Sequence, residues 1–179
     1  MNQSLGKESS LTRSYLGVAA VLTPFFVLLV LISRSTPDPV QGNLGLLPPV
    51  FALVTLTVVV LVMAAVIRNV SVIRGKVSMR YYETYGGEDF PAEWIERPAR
   101  TFDNLLQVPM LFYVVCLLMM VLEEIDSIQV NLAWLFVGTR IAHAFVYIVF
   151  NRVPYRFAAF LAGVSTLAVI WIRFAAAVV

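Results

Sequence analysis

The sequence predicts an all-α membrane protein whose hydrophobic helices cross the bilayer, and three observations carry that prediction. Hydrophobic residues make up 60% of the 179 positions and charged residues 13%, whereas soluble domains sit near about 45–50% and about 25%. The apolar residues are gathered into stretches, roughly 14–33, 47–68, 103–122, 131–150 and 153–175, each close to the ~20 residues that span a bilayer core. Every stretch is apolar on all sides, without the alternating polarity that a ~10-residue barrel strand needs, so each must satisfy its backbone as a helix.

Several function classes fall away at once. The formal net charge is only +2, and the basic residues are dispersed rather than clustered with exposed aromatics, which excludes a nucleic-acid surface. One cysteine, Cys116, lies within an apolar run. It allows no intramolecular disulfide, no metal-ligand spacing exists around it, and a small buried apolar side chain is expected there.

The first stretch follows Lys7 and Arg13 as a secretory signal would, but it is too long for one. It ends in Ser33-Arg34-Ser35-Thr36-Pro37 with no small-x-small cleavage pattern. It reads as a span in an N-terminal segment, residues 1–44, ahead of a domain covering 45–179. The second stretch continues as a helix through Val70, Val72 and Ile73 until Gly75 interrupts it. A polar segment from Lys76 to about Ala99 follows, and its Tyr81, Tyr82, Tyr85, Gly86, Gly87 and Pro91 suit an ordered loop with turns near the headgroups.

Orientation follows from the retention of Lys and Arg on the cytoplasmic side. With the N-terminus inside, Lys7, Arg13, Arg68, Arg74, Lys76, Arg80, Arg97, Arg100, Arg152 and Arg156 are cytoplasmic. Arg34 and Arg173 then lie outside with Glu123, Glu124 and Asp126, and five crossings put the C-terminus outside as well.

Polar residues inside such spans are costly and turn inward. In the third span Arg100, Asn104 and Gln107 fall at i, i+4 and i+7 on one face, with Asp103 beside them. In the fourth, Arg140, His143 and Tyr147 fall at i, i+3 and i+7. A rise of ~1.5 Å per residue puts Gln107 and His143 each about 10 Å from the same membrane boundary. Together with Arg156 these stripes are expected to line a basic cavity open to the cytoplasm, suited to an anion that arginines grip by bidentate hydrogen bonds and to amides that Asn and Gln can pair. Competing structural roles exist for most of them. Arg100 can snorkel to headgroups, Arg140 can form an ion pair with Asp103 or a hydrogen-bonded knot with His143, and Tyr147 can anchor at the interface. No second metal-ligating side chain is spaced to join His143.

These residues are also where the chain resembles a known group. The stretch Glu96-Arg97-Pro98-Ala99-Arg100 followed by Asn104-Leu105-Leu106-Gln107-Val108-Pro109 is similar to the Arg-x-x-x-Asn-x-x-Glu motif of the MAPEG superfamily, the membrane-associated proteins in eicosanoid and glutathione metabolism. Pro49 to Leu53, Leu111 to Tyr113, Arg140 to His143 and Asn151 to Arg156 look like its uncharacterised bacterial branch, in the same order along the chain. The resemblance covers about residues 45–176. It implies a four-helix transmembrane protomer that trimerises in the bacterial inner membrane, with glutathione held between neighbouring protomers. Arg100, Asn104, Gln107, Arg140 and His143 would then bind the glutathione, while Arg156 would favour its thiolate and Tyr147 would join it at the reacting end. Gln107 stands where the motif carries Glu, and His143 where a tyrosine is expected.

Two functions follow from this. One is a glutathione-dependent transferase or peroxidase acting on lipophilic electrophiles delivered through the membrane lipids. The other is a non-catalytic subunit of a larger membrane complex, contacted through the extra helix 14–33. The polar stripe favours the enzyme, since an inert scaffold has little use for Arg100, Asn104, Arg140 and Arg156 on inward faces, and Gln107 favours the scaffold. Transport ranks below both, because no span carries the paired Gly/Pro interruption of discontinuous helices.

Overall fold

The computed structural model describes residues 2–37, 44–84 and 90–179, without the side chains of 2–15 and 84. The turn expected at Tyr85, Gly86 and Gly87 and the side chains of Lys7 and Arg13 therefore lie outside the described residues. Within them the chain is nearly all helical apart from short connections, and five helices are long and apolar enough to cross a membrane.

Helix α1 runs Asn2–Arg34 and α2 Leu47–Ile73. Pro48 and Pro49 open α2 at the positions where a missing N–H is harmless. Gly75 closes it at φ 65°, a left-handed conformation that needs no Cβ to be accommodated. Its amide donates back to the Val72 carbonyl, and that of Lys76 to Ser71. A short helix α3, Met79–Thr84, follows.

Helix α4 spans Glu93–Val121, so it begins ten residues before the apolar run expected at 103. Its polar first turns carry Glu93 and Glu96, which suit the positive end of the helix dipole, and hydropathy alone does not register them. Helix α5, Ser127–Phe145, is capped by Asp126, whose side chain accepts from the Gln129 amide at 2.6 Å. It passes into a π-helical turn, Val146–Phe150, which ends at Asn151 with φ 45°. Helix α6 then runs Val153–Val178 with Pro154 in its first turn.

Helices α2 and α4 pack together, as do α5 and α6, and these pairs join into one four-helix bundle with α1 laid against α6 and α5. Leu53, Phe112, Met119, Leu132, Phe136 and Ile170 are completely buried at its centre. Phe112 stacks on Phe136 with centroids 4.7 Å apart. Large apolar residues such as Phe51, Val58, Leu117 and Ile172 remain exposed, as a bilayer-facing surface requires.

The antiparallel course gathers Arg68, Arg97, Arg100, Arg152 and Arg156 at one end, called here the basic end. Glu123, Glu124 and Asp126 collect at the other. An ion pair at 3.1 Å between Arg68 and Glu96 ties α2 to α4 at the basic end. There the phenol of Tyr82 is pushed above its ordinary pKa, first by burial and then by the Glu96 carboxylate. At the other end Arg173 reaches both Asp126 and the Ser33 carbonyl at 3.0 Å, fastening α6 to the start of α5 and to the last turn of α1.

Candidate functional site

A cavity of about 370 Å³ opens at the basic end, between α4, the α5–π junction and the first turns of α6. Arg100, Asp103, Asn104 and Gln107 form its α4 wall, His143 and Tyr147 the opposite wall, and Val153, Arg156, Phe157 and Phe160 the third. The spacing of the α4 residues puts them on one helical face. Arg100, Asp103 and Gln107 are exposed, so this wall is open in the single protomer, while Asn104 lies deeper.

Arg156 is fixed on two sides. Its Nη1 donates to Asn151 Oδ1 at 2.9 Å, and its guanidinium lies 4.4 Å from the centroid of the Tyr147 ring, within the range of a cation–π contact. Asn151 in turn donates through Nδ2 to Glu93, which also pairs with Arg97 at 3.4 Å, and Arg97 contacts the Ile148 carbonyl of the π turn. The left-handed backbone at Asn151 makes this chain of contacts possible. Asn tolerates that conformation better than most residues, and it turns the chain sharply enough for its own side chain to face Arg156.

His143 is 4% exposed, and its Nδ1 sits 3.1 Å from the Arg156 carbonyl oxygen. A carbonyl can only accept, so Nδ1 carries a proton, and in the neutral ring Nε2 presents a lone pair. Nε2 is buried and has no hydrogen-bond partner among the described residues, nor has the buried Oδ1 of Asn104. The cavity thus holds orphaned polar atoms on both walls, and in native structures such groups ordinarily find a partner.

Arg140 is the one expected site residue that the structure does not bring into this cavity. It is 1% exposed and lies in the α5–α6 seam, where Nη2 donates to the Phe160 carbonyl at 3.2 Å and contacts Ala159 O at 3.5 Å. Its guanidinium rests over the rings of Phe136 and Phe160. The physical reason is directional. Helical side chains lean toward the helix N-terminus, so Arg140 extends toward Phe136, away from His143 and the basic end. Neither the ion pair with Asp103 nor the knot with His143 forms, and Gly163 supplies the room instead, because a methyl there would overlap the guanidinium.

The cavity therefore unites Arg100, Asn104, Gln107, His143, Tyr147 and Arg156. Sequence reasoning did not single out the walls Val153, Phe157 and Phe160, or Glu93 and Asn151 as the support of Arg156. The signal available for Asn151 was its place just before an Arg-Val-Pro helix start, where a turn is required. Among the described residues no group of acidic, cysteine or histidine side chains could hold a metal ion.

The model of the MAPEG family matches residues 47–176. That range begins at the first residue of α2 and leaves α1 outside. No curated protein and no solved structure matches the chain.

Proposed function

The chain belongs to the MAPEG family, and on that premise we propose that it is a membrane-embedded glutathione-dependent transferase or peroxidase whose thiol substrate occupies the cavity at the basic end. The observation that carries this reading is the arrangement of charge. Arg100 stands on the α4 wall and Arg156 on the α6 wall, and among the described residues neither they nor Asp103, which lies near Arg100, form an ion pair. A γ-glutamyl tripeptide carries two carboxylates and one ammonium, the complement of that pattern.

In this reading Arg100 takes a carboxylate, and Asn104 and Gln107 pair with the peptide amides. Asp103 lies one turn from Gln107 and offers the ammonium the negative charge that Gln107 lacks. Arg156, held by Asn151 and Tyr147, stands where a cation favours a thiolate over a thiol. Phe157, Phe160 and Val153 keep the reacting end apolar and shield these charges from water, which strengthens each interaction.

The exposed α4 wall is the side on which a neighbouring protomer would complete the cavity in a trimer. The excess of basic residues at this end supports a cytoplasmic site with the N-terminus inside, in a bacterial inner membrane. Lipophilic electrophiles would arrive through the surrounding lipid.

The test is direct. Purified protein in lipid nanodiscs should be thermally stabilised by glutathione, since a ligand selective for the folded state contributes ~2.7 kcal/mol at a hundredfold excess over Kd. It should also form a conjugate with an aryl halide. If millimolar glutathione leaves Tm unmoved and no conjugate forms, the reading is overturned in favour of a non-catalytic subunit that meets a larger complex through α1.

A further inference from the structure

We propose that His143 takes the thiol proton of the bound substrate and keeps it within the site, so that the thiolate forms beside an imidazolium rather than by release of a proton to water. This rests on the reading that a thiol tripeptide occupies the cavity.

The geometry begins with Nδ1. Its hydrogen bond to the Arg156 carbonyl fixes the tautomer and the ring plane, leaving Nε2 as a buried acceptor without a partner at a ring that lines the cavity. The ring packs near Tyr147 and Phe160, with centroids 6.1 Å away in each case. Arg156 flanks it from α6, so the carbonyl that orients His143 and the guanidinium that attracts a thiolate belong to one residue. The ring and that guanidinium both line the cavity, so a sulfur placed against the guanidinium shares the cavity with the imidazole.

Charged side chains surround the ring on three helices. Arg140 lies one turn earlier on the same helix, Arg156 on α6, and Arg100 across the cavity on α4. Asp103, the facing carboxylate, is on the exposed wall. These are three cations and one carboxylate, and in the neutral ring Nε2 is an acceptor without a partner among the described residues. A thiol changes the balance only as it ionises. The S–H bond breaks, its electron pair remains on sulfur, and the proton forms the Nε2–H bond, so no net charge enters the site. The new thiolate then faces both Arg156 and the imidazolium. After sulfur has bonded to the electrophile and the leaving group has departed, the imidazolium gives its proton to water and the ring is neutral again.

The experiment counts protons. Wild-type protein and His143→Gln, in nanodiscs in weakly buffered solution, are mixed with glutathione or with S-methylglutathione, which has no thiol. Thiolate is read by its ultraviolet absorbance and released protons by an indicator dye. Wild type should form thiolate at neutral pH while releasing no more protons with glutathione than with the S-methyl compound. His143→Gln should still bind the S-methyl compound, form thiolate only at higher pH, and release one proton for each thiolate formed. Release of one proton per thiolate by wild type overturns the proposal without recourse to any variant, and so does bound glutathione that stays a thiol. Failure of wild type to bind either compound overturns instead the functional reading on which the proposal rests.

Discussion

The guanidinium of Arg140 occupies the space in which a side chain at position 163 would begin. A Cβ built on Gly163 overlaps Nη2 and also crowds Thr139 Oγ1, so the close approach of α5 to α6 depends on the absence of that one carbon. Inside a bilayer such a charge has few alternatives, since moving it to an apolar wall would leave it unsolvated.

Gly163→Ala should therefore destabilise the bundle by about 1–3 kcal/mol, the range for forcing atoms into a filled core. Denaturant titration in detergent micelles checks this. Arg140→Met, which removes the charge and much of the bulk, should restore most of the loss in the double variant, and a simple sum of the two effects would show that the residues do not share the space.

Arg100→Ala should raise the glutathione Kd about tenfold or more, because a charge-assisted hydrogen bond is worth about 1.5–3 kcal/mol. Arg34→Ala, at the opposite end of α1, should leave it unchanged. Equal effects in isothermal titration would remove the α4 face from the binding site.

Asp103→Asn should weaken binding of glutathione but not of its deaminated analogue, which has no ammonium to lose a partner. Gln107→Glu, one turn away, should recover the glutathione affinity in the double variant. If Asp103→Asn weakens both compounds alike, the carboxylate does not recognise the ammonium.

Asn151→Gly should keep the fold, since glycine accepts φ near 45° readily, yet it removes the hydrogen bond that anchors Arg156. A fall of about tenfold in kcat, with a smaller change in KM, is the expected signature of a misplaced cation at the reacting end.

Arg173→Ala should loosen α1 at its far end by about 0.5–1.5 kcal/mol, through loss of the hydrogen bond to the Ser33 carbonyl. Hydrogen exchange of the amides near Ser33 should quicken while the centre of α5 stays protected.

Much of this protein was legible from its residues in order. Long apolar runs can only be helices in lipid, so the spans, their antiparallel course and the gathering of basic side chains at one end followed from hydropathy and charge. A fixed helical repeat likewise put Arg100, Asn104 and Gln107 on one face, and equal depth brought His143 and Tyr147 opposite them. The start of α4 at Glu93 was hidden, because its polar first turns carry no hydropathy signal.

Tertiary structure alone decided the rest. Periodicity groups Arg140 with His143, but it does not show that a long side chain leans toward its helix N-terminus, into a gap left by a glycine 23 positions later in the chain. Nor does spacing reveal that a carbonyl of α6 would turn the imidazole, or that Glu93 and Asn151 would meet to hold Arg156. Local sequence sets which face a residue occupies, whereas the atoms it meets there depend on how separate helices pack.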